Sequence, residues 1–229
     1  MNWKKSFRSI YYDGAPDPAD LDLAWAETAL LVIDVQNTYL ARPDRASLSA
    51  DEQRRYDAWT PFHTRMCDTV IPRTSHLLDL FRRQGIERLF ARIACHTKDG
   101  RDRSLSQKKP GFNYLLLPKD RHDSQIVLEL TPAPDDIVIL KTTDSALTGS
   151  NLRLILRNME IENVVIAGIF TDQCVSSTVR SLADESFNVV VVEDCCAAAT
   201  MELHEKELEI INMIYCHVAR LEEVLSFLA

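Results

Sequence analysis

The sequence lacks any long hydrophobic run and any excess of positive charge. None of its apolar stretches approaches the roughly 18 residues that a membrane-spanning helix needs. Its 26 lysines and arginines stand against 34 aspartates and glutamates, which gives a formal net charge of −8. Because an acidic protein repels phosphate backbones and anionic lipids, we expect neither a nucleic acid nor a membrane as a partner.

Zinc-ligand spacing and a secretion signal are also missing. The sequence has six cysteines and six histidines, but it has no Cys-x-x-Cys pair and its histidines lie far apart. Lys4 and Lys5 near the N-terminus are not followed by the apolar stretch of a signal peptide. We therefore expect a cytoplasmic protein with reduced thiols rather than a disulfide framework.

What the sequence does contain is typical of one soluble globular domain. Of its 229 residues, 46% are hydrophobic and 26% are charged. A chain of this length buries roughly 70–75% of the surface that it exposes when unfolded, so its core needs no disulfide or metal. We predict a single domain over residues 1–229, in which the polar residues 1–26 form an N-terminal extension.

Short apolar runs predict the strands of a buried sheet. Each run is too short for a helix and is apolar on both faces, as in the strands of parallel sheets. The five runs span residues 29–33, 89–94, 137–140, 164–167 and 189–192. A sixth and shorter run, at residues 216–219, predicts an edge strand.

Helical patterns separate these runs. They cover residues 70–81, with Gly85 as a C-terminal stop, and then 152–159, 175–182, 203–214 and a stretch that starts at Leu221. Strands that alternate with helices form βαβ units with right-handed crossovers. The fold class predicted is α/β, a three-layer α/β/α sandwich around a mostly parallel, Rossmann-like sheet of about six strands.

Two long connections, over residues 37–52 and 95–125, follow the first two predicted strands. Loops of this length are usually functional or disordered, and open α/β sheets bind ligands at the carboxyl ends of their strands. This placement favours a role in function. The basic stretch 98–109 in the second connection has two interpretations, a solvated loop or a lid that offers cations to a substrate.

Three reactive residues stand at strand ends, namely Asp34, Lys141 and Cys174. Parallel strands end at one edge, so residues far apart in sequence can share a crevice there. A thiol at a helix N-terminus beside a lysine is expected to have a lowered pKa. Taken singly, the three also fit a capping or salt-bridged aspartate, a lysine that reaches solvent and a structural cysteine. Glu193 and Asp194, after the fifth run, are candidate neighbours.

The three residues lie in segments that resemble the isochorismatase-like cysteine hydrolases. Residues 29–37 (ALLVIDVQN) resemble the first strand of that family, and residues 167–175 (AGIFTDQCV) resemble its nucleophile motif. Lys141 occupies the position of the family's lysine, and the similarity extends over residues 27–219. The family includes nicotinamidases, N-carbamoylsarcosine amidases, ureidoacrylate amidohydrolases, biuret and triuret hydrolases, and isochorismatases.

The resemblance implies a mechanism without a cofactor. Asp34 would accept the thiol proton, Cys174 would attack a carbonyl carbon to form a thioester, and Lys141 would keep Asp34 ionised. A cis peptide before Phe170 would turn the backbone N–H groups of Phe170 and Cys174 toward the developing oxyanion. The resemblance further implies a homo-oligomer.

The sequence departs from the family pattern at several positions. The Asp-x-His pair of metal-binding nicotinamidases is missing, so we expect no metal site and interpret His96 as a loop residue. Thr38 and Tyr39 replace an acidic residue and a phenylalanine of many members, and Leu147 replaces an aromatic residue. The side chains expected to contact substrate are Asn37, Tyr39, Leu147, Asn151 and Gln173.

The sequence therefore predicts an amidohydrolase. Its expected partner is a small amide or ureide, either biuret-like or triuret-like or an N-carbamoyl compound, cleaved through a Cys174 thioester with release of ammonia. Four alternatives stay open, namely a vinyl-ether hydrolase of the isochorismatase type, a nicotinamidase-like amidase, a non-catalytic member and a redox-sensing member.

Overall fold

The sheet has six parallel strands, which the chain adds first on one side of the central strand and then on the other. A computed structural model describes residues 2–110 and 115–228. The strand order is β3-β2-β1-β4-β5-β6, so the chain reverses its direction of travel between the neighbours β1 and β4. The strands are β1 (Thr28–Ile33), β2 (Glu87–Ile93), β3 (Ile137–Lys141), β4 (Asn163–Ile169), β5 (Asn188–Ala197) and β6 (His217–Ala219).

Helices cover the sheet on both faces. None of those in the described part of the chain is long and apolar enough to cross a membrane. Gly85 ends the longest of them at a φ of +69°, in the left-handed region that glycine favours. The helices are α1 (Asn37–Leu40), α2 (Ala50–Ala58), α3 (Thr60–Arg65), α4 (Ile71–Gln84), α5 (Leu105–Lys108), α6 (Leu152–Asn158), α7 (Ser176–Asp184), α8 (Met201–Ile211) and α9 (Leu221–Phe227).

Two hydrophobic clusters, one on each face, confirm the three-layer sandwich. Alternate residues of β1 point to opposite faces, so Leu30 belongs to one cluster and Leu31 to the other. The first cluster joins the sheet to α3, α4 and α9, and the second joins it to α6, α7 and α8. Since all residues of β1 and β4 are buried, the central strands are held by packing on both faces.

The fifth strand differs from its prediction, because it continues past residue 192 to Ala197. Its pairing with β4 shifts in register between Ile166 and Gly168, which allows the longer strand to follow the shorter one. Glu193 and Asp194 thus lie inside a strand and are buried, since each finds charged or backbone partners there.

The predicted helix over 203–214 also has different bounds. Thr200 caps its N-terminus by accepting a hydrogen bond from the backbone of Leu203, so α8 starts at Met201. Asn212 is extended and ends the helix at Ile211. The Asn212 side chain donates to the carbonyls of Ser6 and Phe7, and so ties the N-terminal residues to the domain.

The N-terminal extension is docked on the domain. Trp3 is buried, and its ring lies 5.5 Å from that of Phe227 and 5.3 Å from that of His217. Its backbone N–H donates to Glu223 at 2.9 Å. The extension therefore covers β6 and α9 at one end of the sheet.

Candidate active site

Asp34 is placed by the turn that leaves β1. Its φ of +53° lies in the left-handed region, where aspartate is better tolerated than most residues. Its backbone N–H donates to the carbonyl of Ala91 at 2.8 Å, and its Oδ1 accepts from the N–H of Ile93 at 2.8 Å. These bonds to β2 hold the carboxyl group of Asp34 at the carboxyl-terminal edge of the sheet, beside the point where the strand order reverses between β1 and β4.

Lys141, the last residue of β3, reaches this carboxylate and is fully buried. Its Nζ lies 2.7 Å from Oδ2 of Asp34, 3.3 Å from Sγ of Cys174 and 3.1 Å from the carbonyl of Thr143. An ammonium group has three N–H donors, and each has a partner here. The interpretation of Lys141 as a lysine that reaches solvent is therefore wrong.

Cys174 lies in a π-helical turn, Thr171–Val175, between β4 and α7. The carbonyl of Phe170 accepts the N–H groups of Gln173 at 3.0 Å and Val175 at 3.2 Å. A cis peptide joins Ile169 to Phe170, as the resemblance implied. Cys174 is buried, and the six cysteines, all within the described residues, are free thiols.

The pKa of the Cys174 thiol is shifted opposite to the direction expected from its helix N-terminus. Burial raises it well above the ordinary value, the charge of Asp34 raises it further, and Lys141 opposes both. Burial also raises the pKa of Asp34 against the opposing effect of Lys141. For Lys141, burial lowers the pKa, but Asp34 and Cys174 outweigh burial and leave it raised. The resting thiol of Cys174 is thus neutral and the amine of Lys141 is charged.

Gln36 is a buried residue of this site that the sequence reasoning did not select. Its Oε1 accepts from the N–H of Ile93 at 2.9 Å, and its Nε2 donates to the carbonyls of Ile93 and Ser124 at 3.0 and 2.8 Å. It therefore joins the end of β2 to the second long connection. The signal available in the sequence was a polar amide side chain just after the apolar run of β1.

Aromatic side chains form a wall near Asp34 and Cys174. The ring of Phe170 lies 5.3 Å from that of Tyr39, 5.1 Å from that of Phe62 and 5.9 Å from that of Trp59. Burial raises the pKa of Tyr39 well above its ordinary value, and the charges of Asp34 and Cys174 raise it too. Tyr39 is therefore a neutral phenol near Asp34 and Cys174. Trp59 also lines an adjoining pocket of about 340 Å³.

The other side chains expected to contact substrate are distributed unevenly. Leu147 is buried in the same apolar cluster as Cys174. Asn37 uses its amide to donate to the carbonyl of His122 at 2.9 Å, which ties α1 to the second long connection. Asn151 and Gln173 are exposed. The roles of all five in substrate binding stay predictions.

The basic stretch 98–109 is organised from within. Arg103 is buried and donates to the carbonyls of Gly100 and Gln107. Burial raises the pKa of Asp102, but hydrogen bonds from Thr97 and from the backbone of His96 lower it to about 2. The stretch ends close to residues 111–114, which lie outside the described residues, so its role as a lid stays a prediction.

Histidine does not contribute to a metal site in the described residues. His96 is exposed, and its backbone N–H donates to Asp102 at 2.7 Å, as in a loop residue. Within residues 2–110 and 115–228, no group of three or more histidine, cysteine or acidic side chains is arranged to hold a metal ion.

Glu193 is the centre of a second charged cluster instead of joining Asp34, and Asp194 forms an ion pair with Arg73 at 2.9 Å. Glu193 Oε1 accepts from Nε of Arg220 at 2.8 Å, and Oε2 lies 3.4 Å from Nη2 of Arg65 and 3.8 Å from Nε2 of His204. Burial raises the pKa of Glu193, but Arg220 and Arg65 oppose it, and the pKa is lowered. We call Arg65, Glu193, His204 and Arg220 the Glu193 cluster.

Comparison with known proteins gives consistent matches. The family model described as the isochorismatase domain matches residues 28–223. The uncharacterized isochorismatase family protein YecD of Escherichia coli O157:H7 is 31% identical over 218 residues, which cover 91% of this chain and 100% of the relative. The ureidoacrylate amidohydrolase RutB of Pseudomonas syringae pv. syringae (strain B728a) is 28% identical over 193 residues, which cover 82% and 78%.

Solved structures share the fold. A cysteine hydrolase from Pseudomonas syringae pv. phaseolicola 1448A superposes with a TM-score of 0.74 at 18% sequence identity. The superposition covers 90% of this chain and 94% of that one. At this identity the likeness concerns the fold, and the chemistry is argued from the side chains above.

Proposed function

The chain belongs to the isochorismatase family of hydrolases, and we propose that it cleaves a C–N bond of a small amide or ureide through a thioester on Cys174. One observation carries this proposal. The buried ammonium of Lys141 lies against Asp34, Cys174 and a backbone carbonyl at once, and so holds a carboxyl group beside a neutral thiol. Such a pair is a nucleophile with its base already in place.

The first step is proton transfer coupled to attack. Asp34 accepts the thiol proton as Sγ of Cys174 forms a bond to the substrate carbonyl carbon. The carbonyl oxygen becomes an oxyanion, which the backbone N–H groups of Phe170 and Cys174 stabilise. Two aimed donors of this kind are typically worth about 3 kcal/mol each in the transition state.

The second step expels the amine. Protonated Asp34 returns its proton to the leaving nitrogen as the C–N bond breaks, which leaves a thioester and free ammonia or amine. Asp34 then activates the water that hydrolyses the thioester. A carboxyl group whose pKa is raised by burial suits both directions of transfer, because it binds a proton more tightly than an exposed aspartate and can still pass it to a more basic leaving nitrogen.

The substrate class rests on chemistry and on the relatives. Tyr39, whose pKa is raised by burial and by the charges of Asp34 and Cys174, packs against Phe170, so an apolar surface and a charged pair both lie close to the thiol. A relative named as a ureidoacrylate amidohydrolase supports N-carbamoyl or biuret-like compounds.

The test is ammonium release from nicotinamide, biuret, triuret, N-carbamoylsarcosine and a ureidoacrylate analogue. We expect the wild type to release ammonium from at least one compound and Cys174→Ala to release none. Cys67→Ala is the matched control, because Cys67 is an exposed thiol, and we expect wild-type rates from it. Wild-type silence across the panel, or activity of Cys174→Ala within about tenfold of wild type, would contradict the proposal.

A further inference from the structure

The turn that carries Cys174 is tied to α8 through a buried hydrogen bond. Thr171, the first residue of the turn, is fully buried, and its Oγ1 lies 2.8 Å from Nδ1 of His204. His204 is only 1% exposed.

The neighbours of His204 decide which ring nitrogen carries the proton. Its Nε2 lies 3.0 Å from Nη2 of Arg65, and a guanidinium group can only donate. Nε2 must therefore be the acceptor. Burial lowers the pKa of His204, and Arg65 lowers it as well, against an opposing effect of Glu193. A neutral imidazole with an acceptor at Nε2 has its proton on Nδ1, so it donates to Thr171.

Arg65 is itself held firmly. Its Nε donates to the carbonyl of Cys196 at 3.0 Å, and its Nη2 donates to the carbonyl of Glu193 at 2.9 Å. The donors thus run in one direction, from Arg65 on α3 to His204 on α8 and from there to Thr171. The chain of bonds starts at backbone carbonyls in the second half of β5, where Cys196 pairs with Gly168 of β4.

A second tie leads from α8 to the other end of the turn. Glu207 accepts a hydrogen bond from the hydroxyl of Ser176, the first residue of α7, and forms an ion pair with Arg180 at 2.8 Å. Thr171 begins the turn and Ser176 directly follows it, so α8 contacts the chain on both sides of Cys174. Of these two contacts, only the His204 hydrogen bond is fully buried. Because water cannot replace it there, it limits the position of the turn more strictly than the Glu207 contact does.

We propose that Thr171 and His204 are positioning residues for Cys174, because their hydrogen bond fixes the direction in which Sγ and the backbone N–H groups of Phe170 and Cys174 point. The inference rests on the proposed function, in which Cys174 is the nucleophile. A displacement of about 1 Å at a reacting group is enough to cost roughly 100-fold in rate.

Thr171→Val and Thr171→Ser form the matched pair that tests the bond. Valine keeps the shape and loses the hydroxyl, whereas serine keeps the hydroxyl. With the substrate found in the panel, we expect Thr171→Val to lower kcat about 10–100-fold with KM within about twofold, and Thr171→Ser to stay within about threefold. Equal losses in both variants, or wild-type kcat in Thr171→Val, would overturn the positioning role.

Two measurements need no turnover and therefore separate this inference from the proposed function. The first is the rate at which iodoacetamide alkylates Cys174, followed by peptide mass spectrometry. We expect it to fall about tenfold in Thr171→Val and to stay unchanged in Thr171→Ser, because a displaced thiol loses its base. An unchanged rate in both variants would overturn the inference even if the panel identified a substrate.

The second measurement is the tautomer of His204 in the wild-type protein, read from long-range ¹H–¹⁵N correlations at pH 7. We expect the proton on Nδ1, and a proton on Nε2 or on both nitrogens would overturn the proposed direction of the bonds. If Thr171→Val does not fold, His204→Asn and His204→Leu provide the same comparison. The asparagine amide nitrogen can replace Nδ1 as a donor, and leucine cannot.

Discussion

Two buried carboxylates near the same edge of the sheet have opposite electrostatic environments. Asp34 is 2% exposed and Glu193 is 6% exposed, so burial alone does not distinguish them. The pKa of Asp34 is raised, whereas that of Glu193 is lowered. The difference lies in their partners, because Asp34 shares one lysine with a thiol and Glu193 has two arginines and a histidine.

The two arrangements suit different tasks. A guanidinium group is always charged and presents its donors in a fixed plane, so Arg65 and Arg220 keep Glu193 ionised to a lower pH than an ordinary glutamate. The ammonium of Lys141 compensates Asp34 only in part and leaves it able to accept a proton. We infer that this edge of the sheet has two parts. In the reactive half, at the ends of β1 and β3, Asp34 can exchange a proton, and in the holding half, in β5, Glu193 is kept ionised by arginines.

The largest effect that would break this division is the loss of the proposed base. We expect Asp34→Asn to lower kcat by about 10³-fold, because general-base catalysis is typically worth about 10²–10⁴-fold. Glu193→Gln should lower kcat by less than about tenfold, since Glu193 supports the turn from a distance. Both values come from steady-state ammonium release. Equal losses in the two variants would show that the edge is not divided.

The next effect concerns the cation of the reactive half. Lys141→Met keeps the chain length and removes the charge, which leaves Asp34 buried without a counterion. We expect a loss of about 3 kcal/mol in the free energy of unfolding, measured by urea denaturation, together with loss of turnover.

The control for this variant is Arg54→Met, which breaks the exposed ion pair of Arg54 with Asp51. Exposed pairs contribute little, so we expect a change below about 0.5 kcal/mol. A similar change in both variants would mean that burial gives the Lys141 pair no special energetic weight.

A smaller effect concerns the holding half and its dependence on pH. Glu193→Gln should cost about 2 kcal/mol at pH 7, because charge-assisted hydrogen bonds to Arg220 and Arg65 are lost. A lowered pKa in the folded state contributes stability that is present above the unfolded pKa and is lost as the pH falls through the folded pKa. The gap between wild type and variant should therefore narrow below about pH 4.5.

Urea denaturation at several pH values measures this gap, with Glu129→Gln as the control at an exposed glutamate. A gap that stays constant from pH 7 to pH 3 would contradict the assignment of Glu193 as an anion whose charge stabilises the fold.

The reactive half could be predicted from the sequence, whereas the holding half could not. Asp34, Lys141 and Cys174 each follow a short apolar run, and parallel topology brings the ends of such runs together. The partners of Glu193 come from α3, α8 and the segment before α9, which no periodicity relates to one another. Side-chain pairing across distant elements depends on the packed structure rather than on a local pattern.

The predicted direction of the Cys174 pKa shift was wrong for a related reason. A helix N-terminus and a nearby lysine are visible in sequence patterns, and both lower a thiol pKa. Burial and the charge of Asp34 act in the other direction and are larger here. Neither can be judged until the surrounding layers are in place, because the desolvation of a side chain is set by everything that covers it.

The smallest effect is the position of the acid limb in the pH profile of kcat/KM. In the proposed mechanism turnover requires ionised Asp34, and burial raises the pKa of this residue in the free protein. Activity should therefore decline, as the pH falls, before the ordinary aspartate value of 3.8 is reached. Rates of ammonium release from pH 8 to pH 4 would locate the limb, with circular dichroism to confirm that the protein remains folded. Because the pKa of Glu193 is lowered, Glu193→Gln should leave the limb where it is. An acid limb that moved in Glu193→Gln would place the titrating base in the holding half and would contradict its assignment to Asp34.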